Sequence, residues 1–250
     1  YMSDYATATL ATADDTHIAV VFADGDITEN GDKGIVASSL VPEILSLAKD
    51  DKIVGMVLRV NSGGGSAFAS EQIWDAVRHF KAQNKPVYVS MGDYAASGGY
   101  YISCGADRIY AMPQTLTGSI GIFGIVPSIE GTLDKHLGIH FSSVSTSPDA
   151  IDISVIKDMT PRQKAEMQRA IQRGYETFVG RVAEGRHISK DSVNTIAQGR
   201  VWDGNTALRI GLVDRIGSLH NAIADLARQI GIAPTAYATY PAMEISPLQQ

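Results

Sequence analysis

The chain has 250 residues, 44% of them hydrophobic and 19% charged, with a net charge of -6 at pH 7. These values fit a globular protein with one large core or two small ones, and exclude disordered and fibrous classes. Acids and bases are interspersed, so there is no basic footprint for nucleic acid, and the single cysteine, Cys104, excludes an internal disulfide and a cysteine metal cluster.

Residues 1–15, YMSDYATATLATADD, carry little apolar periodicity and read as a linker or leading arm. They lack the basic end and apolar centre of a signal peptide, and no run approaches the roughly 20 apolar residues of a membrane span. The start at Tyr1, with Met2 beside it, is expected to mark a mature or excised piece of something longer. Ile18–Phe22 reads as a buried strand ended by the turn residues Asp24-Gly25-Asp26. A helix follows on Leu40, Val41, Ile44, Leu45 and Ala48, with Ser38 or Ser39 as its cap. Ile53–Val60 has the apolar run of a strand buried on both faces. It feeds Asn61-Ser62-Gly63-Gly64-Gly65-Ser66 and then an amphipathic helix with Phe68, Ile73, Trp74, Val77 and Phe80 on one side.

The pattern repeats. Strand Pro86–Ser90 runs into a Gly-Asp turn, then Ser97 at the start of an aromatic helix, and Arg108–Ala111 is a further strand. Beyond the alternating GSIGIFG of 118–124 come a helix over Ser128–Leu137 and a strand candidate over Ile139–Val144. Thr160-Pro161 opens a long helix whose stripe is Met167, Ile171, Tyr175, Phe178 and Val182. Helices over Lys190–Ala197, Asn205–Ile210 and Leu219–Ile230 follow, and the proline-containing tail from 232 to 250 is expected to be extended or mobile. One domain over 16–231 results. Successive β-then-α units imply right-handed crossovers and a mostly parallel sheet, an α/β class with ligand sites at the carboxyl ends of the strands.

Both glycine-rich turns fall at such ends. Ser97 has neighbours too small to cover its hydroxyl, so it suits a nucleophile, or else it merely caps its helix. Gly63-Gly64-Gly65 bares backbone amides and suits an anion, or else is a structural turn. A phosphate loop is excluded, because no lysine stands at Gly65-Ser66-Ala67 and GGGSAF does not complete GxGxxG. Together the two turns supply the parts of acyl transfer: a serine, the Gly98 amide beside it, and a second donor from Gly64 or Gly65. The six histidines show no HExxH or paired spacing, so no metal and no cofactor is expected; a serine-histidine-aspartate triad has no positive support, and Asp93 reads as a turn residue.

NSGGGS at 61–66, GDYAASGGYYIS at 92–103 and ADRIYAMPQTLTGSIGIFG at 106–124 resemble the serine peptidases called protease IV or signal peptide peptidase A. The similarity runs over most of 16–231 and implies the fold of the ClpP/crotonase group, with repeated β-β-α units. On it, Ser97 matches the nucleophile, Gly98 one oxyanion donor, and Gly64 or preferably Gly65 the other. Gly63 stands where relatives often carry proline, which should loosen the loop without removing its donors.

The family's base is a lysine, and in short members it lies in the segment matching about 145–155. Here that segment, STSPDAIDISV, has none, and Lys157 is the next. An exposed lysine such as Lys157 or Lys164 cannot serve unless a partner covers it, since the amine must be neutral to accept a proton. The chain therefore resembles the C-terminal copy of the long tandem form, whose N-terminal copy holds the lysine. The resemblance further implies cleaved signal peptides and apolar peptides as substrates, a periplasmic site, a membrane anchor outside this chain, and oligomers with the 160–185 helix as an interface. A crotonase-type acyl-CoA enzyme and a non-catalytic scaffold half are the rival readings.

Overall fold

The computed structural model describes residues 16–142, 144, 146 and 154–240. The leading arm 1–15, most of the 145–155 segment and the tail from 241 lie outside the described residues. The elements, in chain order, are β1 His17–Asp24, β2 Ile27–Thr28, β3 Ile35–Val36, α1 Ala37–Lys49, β4 Ile53–Ser62, α2 Ala67–Lys81, β5 Val87–Ala96, α3 Gly98–Ser103, β6 Arg108–Ala111, β7 Leu116–Gly118, α4 Glu130–Leu137, α5 Pro161–Arg186, α6 Lys190–Ile196, β8 Val201–Asp203, α7 Gly204–Arg209, β9 Arg215–Ile216, α8 Leu219–Ile230 and β10 Tyr237–Tyr240. Two compact units result, residues 16–121 with 178–240 and residues 122–177.

In the first unit the main sheet runs β10-β1-β4-β5-β6-β9, with every neighbouring pair parallel. The α/β class and parallel sheet expected from the sequence are what the structure has. Ile18, Val20, Val57, Tyr88 and Tyr110 pack with Leu219, Ala222, Ile223 and Leu226 of α8. The pleat turns Met56 and Leu58 to the opposite face, and both are fully buried. Ser218 caps α8 in a reciprocal box with Asn221, and Gly231 ends it in the left-handed conformation.

Several local expectations are corrected. Neither Ser38 nor Ser39 caps α1, which begins at Ala37 after the strand residue Val36; the Ser38 amide is already taken by the Glu29 carbonyl at 3.1 Å. Phe68 leaves the α2 stripe and is exposed, because the buried line runs through Ala69, Ile73, Ala76, Val77 and Phe80. The Gly-Asp pair is no turn: β5 continues through Gly92 and Asp93 to Ala96. The Asn61 side chain accepts from the amides of Asp93 and Tyr94 there, while β5 exchanges β6 for β7 as its neighbour. The sheet also passes the boundary drawn at 231, since Tyr237–Tyr240 lies parallel to β1. The strands β2, β3 and β7–β10 have two to four residues each, too few for a periodicity of two to register.

The second unit holds α4 and the first part of α5. Thr160 and Gln163 cap α5 reciprocally, the Thr160 amide to the Gln163 side chain at 2.8 Å and the Gln163 amide to the Thr160 hydroxyl at 3.2 Å. The helix expected from Ser128 begins at Glu130 instead, with the Ser128 hydroxyl bonded to Asp158. Residues 139–142 of the strand candidate carry no regular structure; Gly138 is left-handed and the Ile139 amide turns back to the Leu133 carbonyl. Of the predicted α5 stripe, Phe178 and Val182 are buried, whereas Met167, Ile171 and Tyr175 are half-buried.

Candidate active site

The register of β4 on β5 pairs Ser62 with Ala95, which sets the two glycine-rich turns side by side at the carboxyl ends of adjacent parallel strands. Ser97 follows β5 directly and has φ 53° and ψ -119°, a left-handed backbone that a β-carbon disfavours. Its amide is tied to the Gly118 carbonyl at 2.9 Å and its carbonyl accepts from Tyr101 at 2.9 Å. Its side chain makes no cap bond to α3. Of the two readings of this serine, the capping one lacks the hydrogen bond that defines it.

The facing turn is held as closely. Ser66 caps α2 through the Ala69 amide. Ile27 of β2 donates to the Gly64 carbonyl at 2.9 Å and accepts from the Ser66 amide at 2.8 Å. In such a parallel bridge the N-H of the middle residue, Gly65, points away from Ile27. The Gly64 amide instead donates to the buried Ser62 hydroxyl at 3.1 Å. A β-carbon on Gly64 would stand 2.7 Å from the Gly98 amide nitrogen and 2.8 Å from Cβ of Ser97, so Gly64 is the contact between the turns. Gly98 is the first helical residue of α3, where an amide has no intrahelical acceptor. The chain thus brings together Ser97, Gly98, Gly64 and Gly65, with two amides, those of Gly65 and Gly98, oriented outside the local bonding.

Among the described residues no side chain hydrogen-bonds the Ser97 hydroxyl. Lys81 is engaged by the Gly105 carbonyl and Asp107, and Lys85 by the carbonyls of Ala48 and Asp50. Lys157 and Lys164 belong to the second unit. His79 and His140 pair with Asp75 and Asp134, and Asp93 is exposed beside Asn61. Supports that the sequence reading missed are Asn61, Ser62, Ile27 and Gly118. A hydroxyl or amide just before a glycine run is the signal that would have found the first two; the others act through backbone groups and leave no side-chain signature.

Cys104, about two turns beyond Ser97 at the C-cap of α3, is fully buried, and burial pushes its thiol up to about 12. The fold keeps a proton that the unfolded chain releases above its usual value of 9.0, so this contribution to stability is present below pH 9 and declines as pH rises from there toward 12. Iodoacetamide at pH 8 should leave Cys104 unmodified in the folded protein and alkylate it fully in denaturant; rapid native alkylation would contradict the burial.

Residues 79–233 match the model of peptidase family S49. The chain belongs to this family. A Clp protease model also matches, over residues 18–117. Among S49 relatives, Protease 4 of Salmonella typhi is 43% identical over 226 residues, covering 90% of this chain and 36% of that protein. Protease 4 of Haemophilus influenzae is 43% identical, covering 82% and 34%. The chloroplastic serine protease SPPA of Arabidopsis thaliana is 33% identical, covering 85% and 32%. This S49 chain therefore spans about a third of the length of each. A ClpP1 mutant from Listeria monocytogenes shares the fold, with TM-score 0.54, 17% identity, and 81% of this chain and 93% of that one covered. The expected ClpP-like α/β architecture is thus the one found.

Proposed function

We propose that this S49 chain hydrolyses peptide bonds through an acyl-enzyme on Ser97. The carrying observation is the left-handed Ser97, uncommitted as a cap, pressed against the Gly64-Gly65 turn. The Ser97 oxygen attacks the scissile carbonyl carbon while a neutral lysine amine takes its proton. The amides of Gly98 and Gly65 hold the oxyanion, and the lysine then protonates the departing amine; water enters by the reverse proton path and releases the acid. Gly65 is preferred over Gly64 as the second donor because the Gly64 amide is occupied by Ser62.

The base is assigned to another copy of the unit, that of the N-terminal half of a tandem enzyme. This rests on the lysine-free 145–155 segment and on relatives of about three times the matched length. Its pKa must fall from about 10.4 toward 7 or 8, which costs roughly 3–5 kcal/mol and requires burial. Substrates are signal peptides already cleaved and other apolar peptides, on the periplasmic face of the inner membrane. Among the described residues no helix is long and apolar enough to cross a membrane, so attachment would lie outside them. Assembly into oligomers is supported by Phe123, Ile125, Leu137 and Phe141 of the second unit, all large, apolar and exposed.

With the lysine-bearing copy present, a serine-reactive fluorophosphonate should form an adduct mapped to Ser97, and adding that copy should raise hydrolysis of an apolar peptide by about 10² to 10⁴. Absence of trapping at Ser97 would remove the nucleophile assignment and favour crotonase-type chemistry on the same amides, which needs no nucleophile. Trapping at Ser97 with no gain on mixing would place the base elsewhere.

A further inference from the structure

The two turns of the site are carried by α2 and α3, and a side-chain cluster behind them fastens these helices to a third. Tyr101, 3% exposed and one turn after Ser97, donates its hydroxyl to Oε2 of Glu71 on α2 at 2.6 Å. Arg181 on α5 grips the same carboxylate with two nitrogens, Nε to Oε2 at 3.3 Å and a terminal nitrogen to Oε1 at 2.5 Å. Its guanidinium lies 3.9 Å from the centre of the Trp74 ring on α2, and the Tyr101 ring lies 4.4 Å from that of Phe178 on α5. All these residues belong to the first unit.

The location of this cluster gives it a function. Glu71 follows Ser70, whose hydroxyl oxygen lies 2.6 Å from where a β-carbon on Gly98 would stand. Tyr101 donates its amide to the Ser97 carbonyl. The glutamate is therefore adjacent to the α2 residue that abuts Gly98, and the tyrosine is bonded to the serine's own peptide. A change in their separation moves the Gly65 amide relative to Ser97 and Gly98. We infer that Arg181 is a positioning residue for the site, setting the spacing of the two oxyanion turns through Glu71 and Tyr101. This rests on the peptidase reading above.

The chemistry selects arginine. A planar fork can bind both carboxylate oxygens and stack on an indole at once, whereas the point charge of a lysine cannot do both. The Arg181 and Glu71 side chains are 31% and 32% exposed, so the pair lies at the border of the core and its removal should leave the fold intact.

Two readouts test this on the full chain with its lysine-bearing partner. Arg181→Met and Arg181→Lys should each lower kcat about tenfold to a hundredfold, the scale for small misplacements of reacting groups, with KM changed less than about twofold. Tyr101→Phe should lower kcat by less. Amide exchange by mass spectrometry should rise in peptides covering 61–70 and 97–103 in both Arg181 variants, and stay at the native level in β1 and α8. Native kcat in either Arg181 variant, or unchanged exchange in both turns, overturns the inference; so does full recovery by lysine, which would mean that charge alone suffices. Failure of a fluorophosphonate to trap Ser97 in the unmodified protein would overturn the peptidase reading instead, and the exchange measurement still decides whether Arg181 fixes the turns.

Discussion

Replacing Ser97 by alanine is expected to lower hydrolysis by about 10⁴ to 10⁶, the range seen when a serine nucleophile is removed and only the oxyanion donors and binding remain. The accompanying stability change separates the two readings of this residue. A serine that caps a helix contributes typically about 1 kcal/mol, lost on substitution by alanine. The Ser97 hydroxyl makes no such bond, so alanine should unfold at the native denaturant midpoint within error. Glycine should do better than either. At φ 53° and ψ -119° a β-carbon is strained, a cost of order 1–3 kcal/mol that glycine relieves. Ser97→Gly is therefore expected to be inactive and more stable than the native protein, by an amount within that range. A loss of stability in both variants would return Ser97 to a structural role.

This strain also marks how far the sequence could be read. Long elements are legible because their patterns are redundant: Ile53–Val60 is apolar but for Arg59, Thr160-Pro161 announces a helix, and the periodicity of Leu219–Ile230 coincides with α8 at both ends. The site was legible as composition, since only small residues permit two backbones to approach as Gly64 and Gly98 do. Its geometry was not. A Gly-Asp pair normally signals a turn, yet β5 runs straight through Gly92-Asp93 because Asn61, on the neighbouring strand, accepts the amides of Asp93 and Tyr94. Ser38 and Ser39 offered ordinary caps, but the carbonyl of Glu29 had already satisfied the Ser38 amide. The Glu71–Tyr101–Arg181 cluster joins residues 30 and 110 positions apart, and no local pattern records such a separation. In each case a long-range partner replaced the local signal.

The same packing makes Gly65 the most informative glycine to alter. Its φ is +150°, and a β-carbon there would stand 2.1 Å from the Ile27 carbonyl oxygen and 2.8 Å from the Ile27 nitrogen. Both are backbone atoms of a strand that is itself paired with β3, so no flexible side chain can give way. In Gly65→Ala the turn must leave β2, breaking the two hydrogen bonds between Ile27 and the Gly64 carbonyl and Ser66 amide, each worth about 0.5–1.5 kcal/mol net. With the backbone strain added, the variant should lose about 2–4 kcal/mol of stability. It should also lose one oxyanion donor, which lowers kcat by about 10² to 10³. Gly63 supplies the control. A β-carbon there meets nothing within 4 Å, so Gly63→Ala should stay within about 0.5 kcal/mol of native stability and keep its activity. Loss of activity in Gly65→Ala alone, with fluorophosphonate trapping of Ser97 slowed in proportion to kcat, is the pattern required of a donor. If Gly65→Ala loses stability but retains native kcat at a temperature where it is folded, the second donor is some other amide, and the assignment of Gly65 fails.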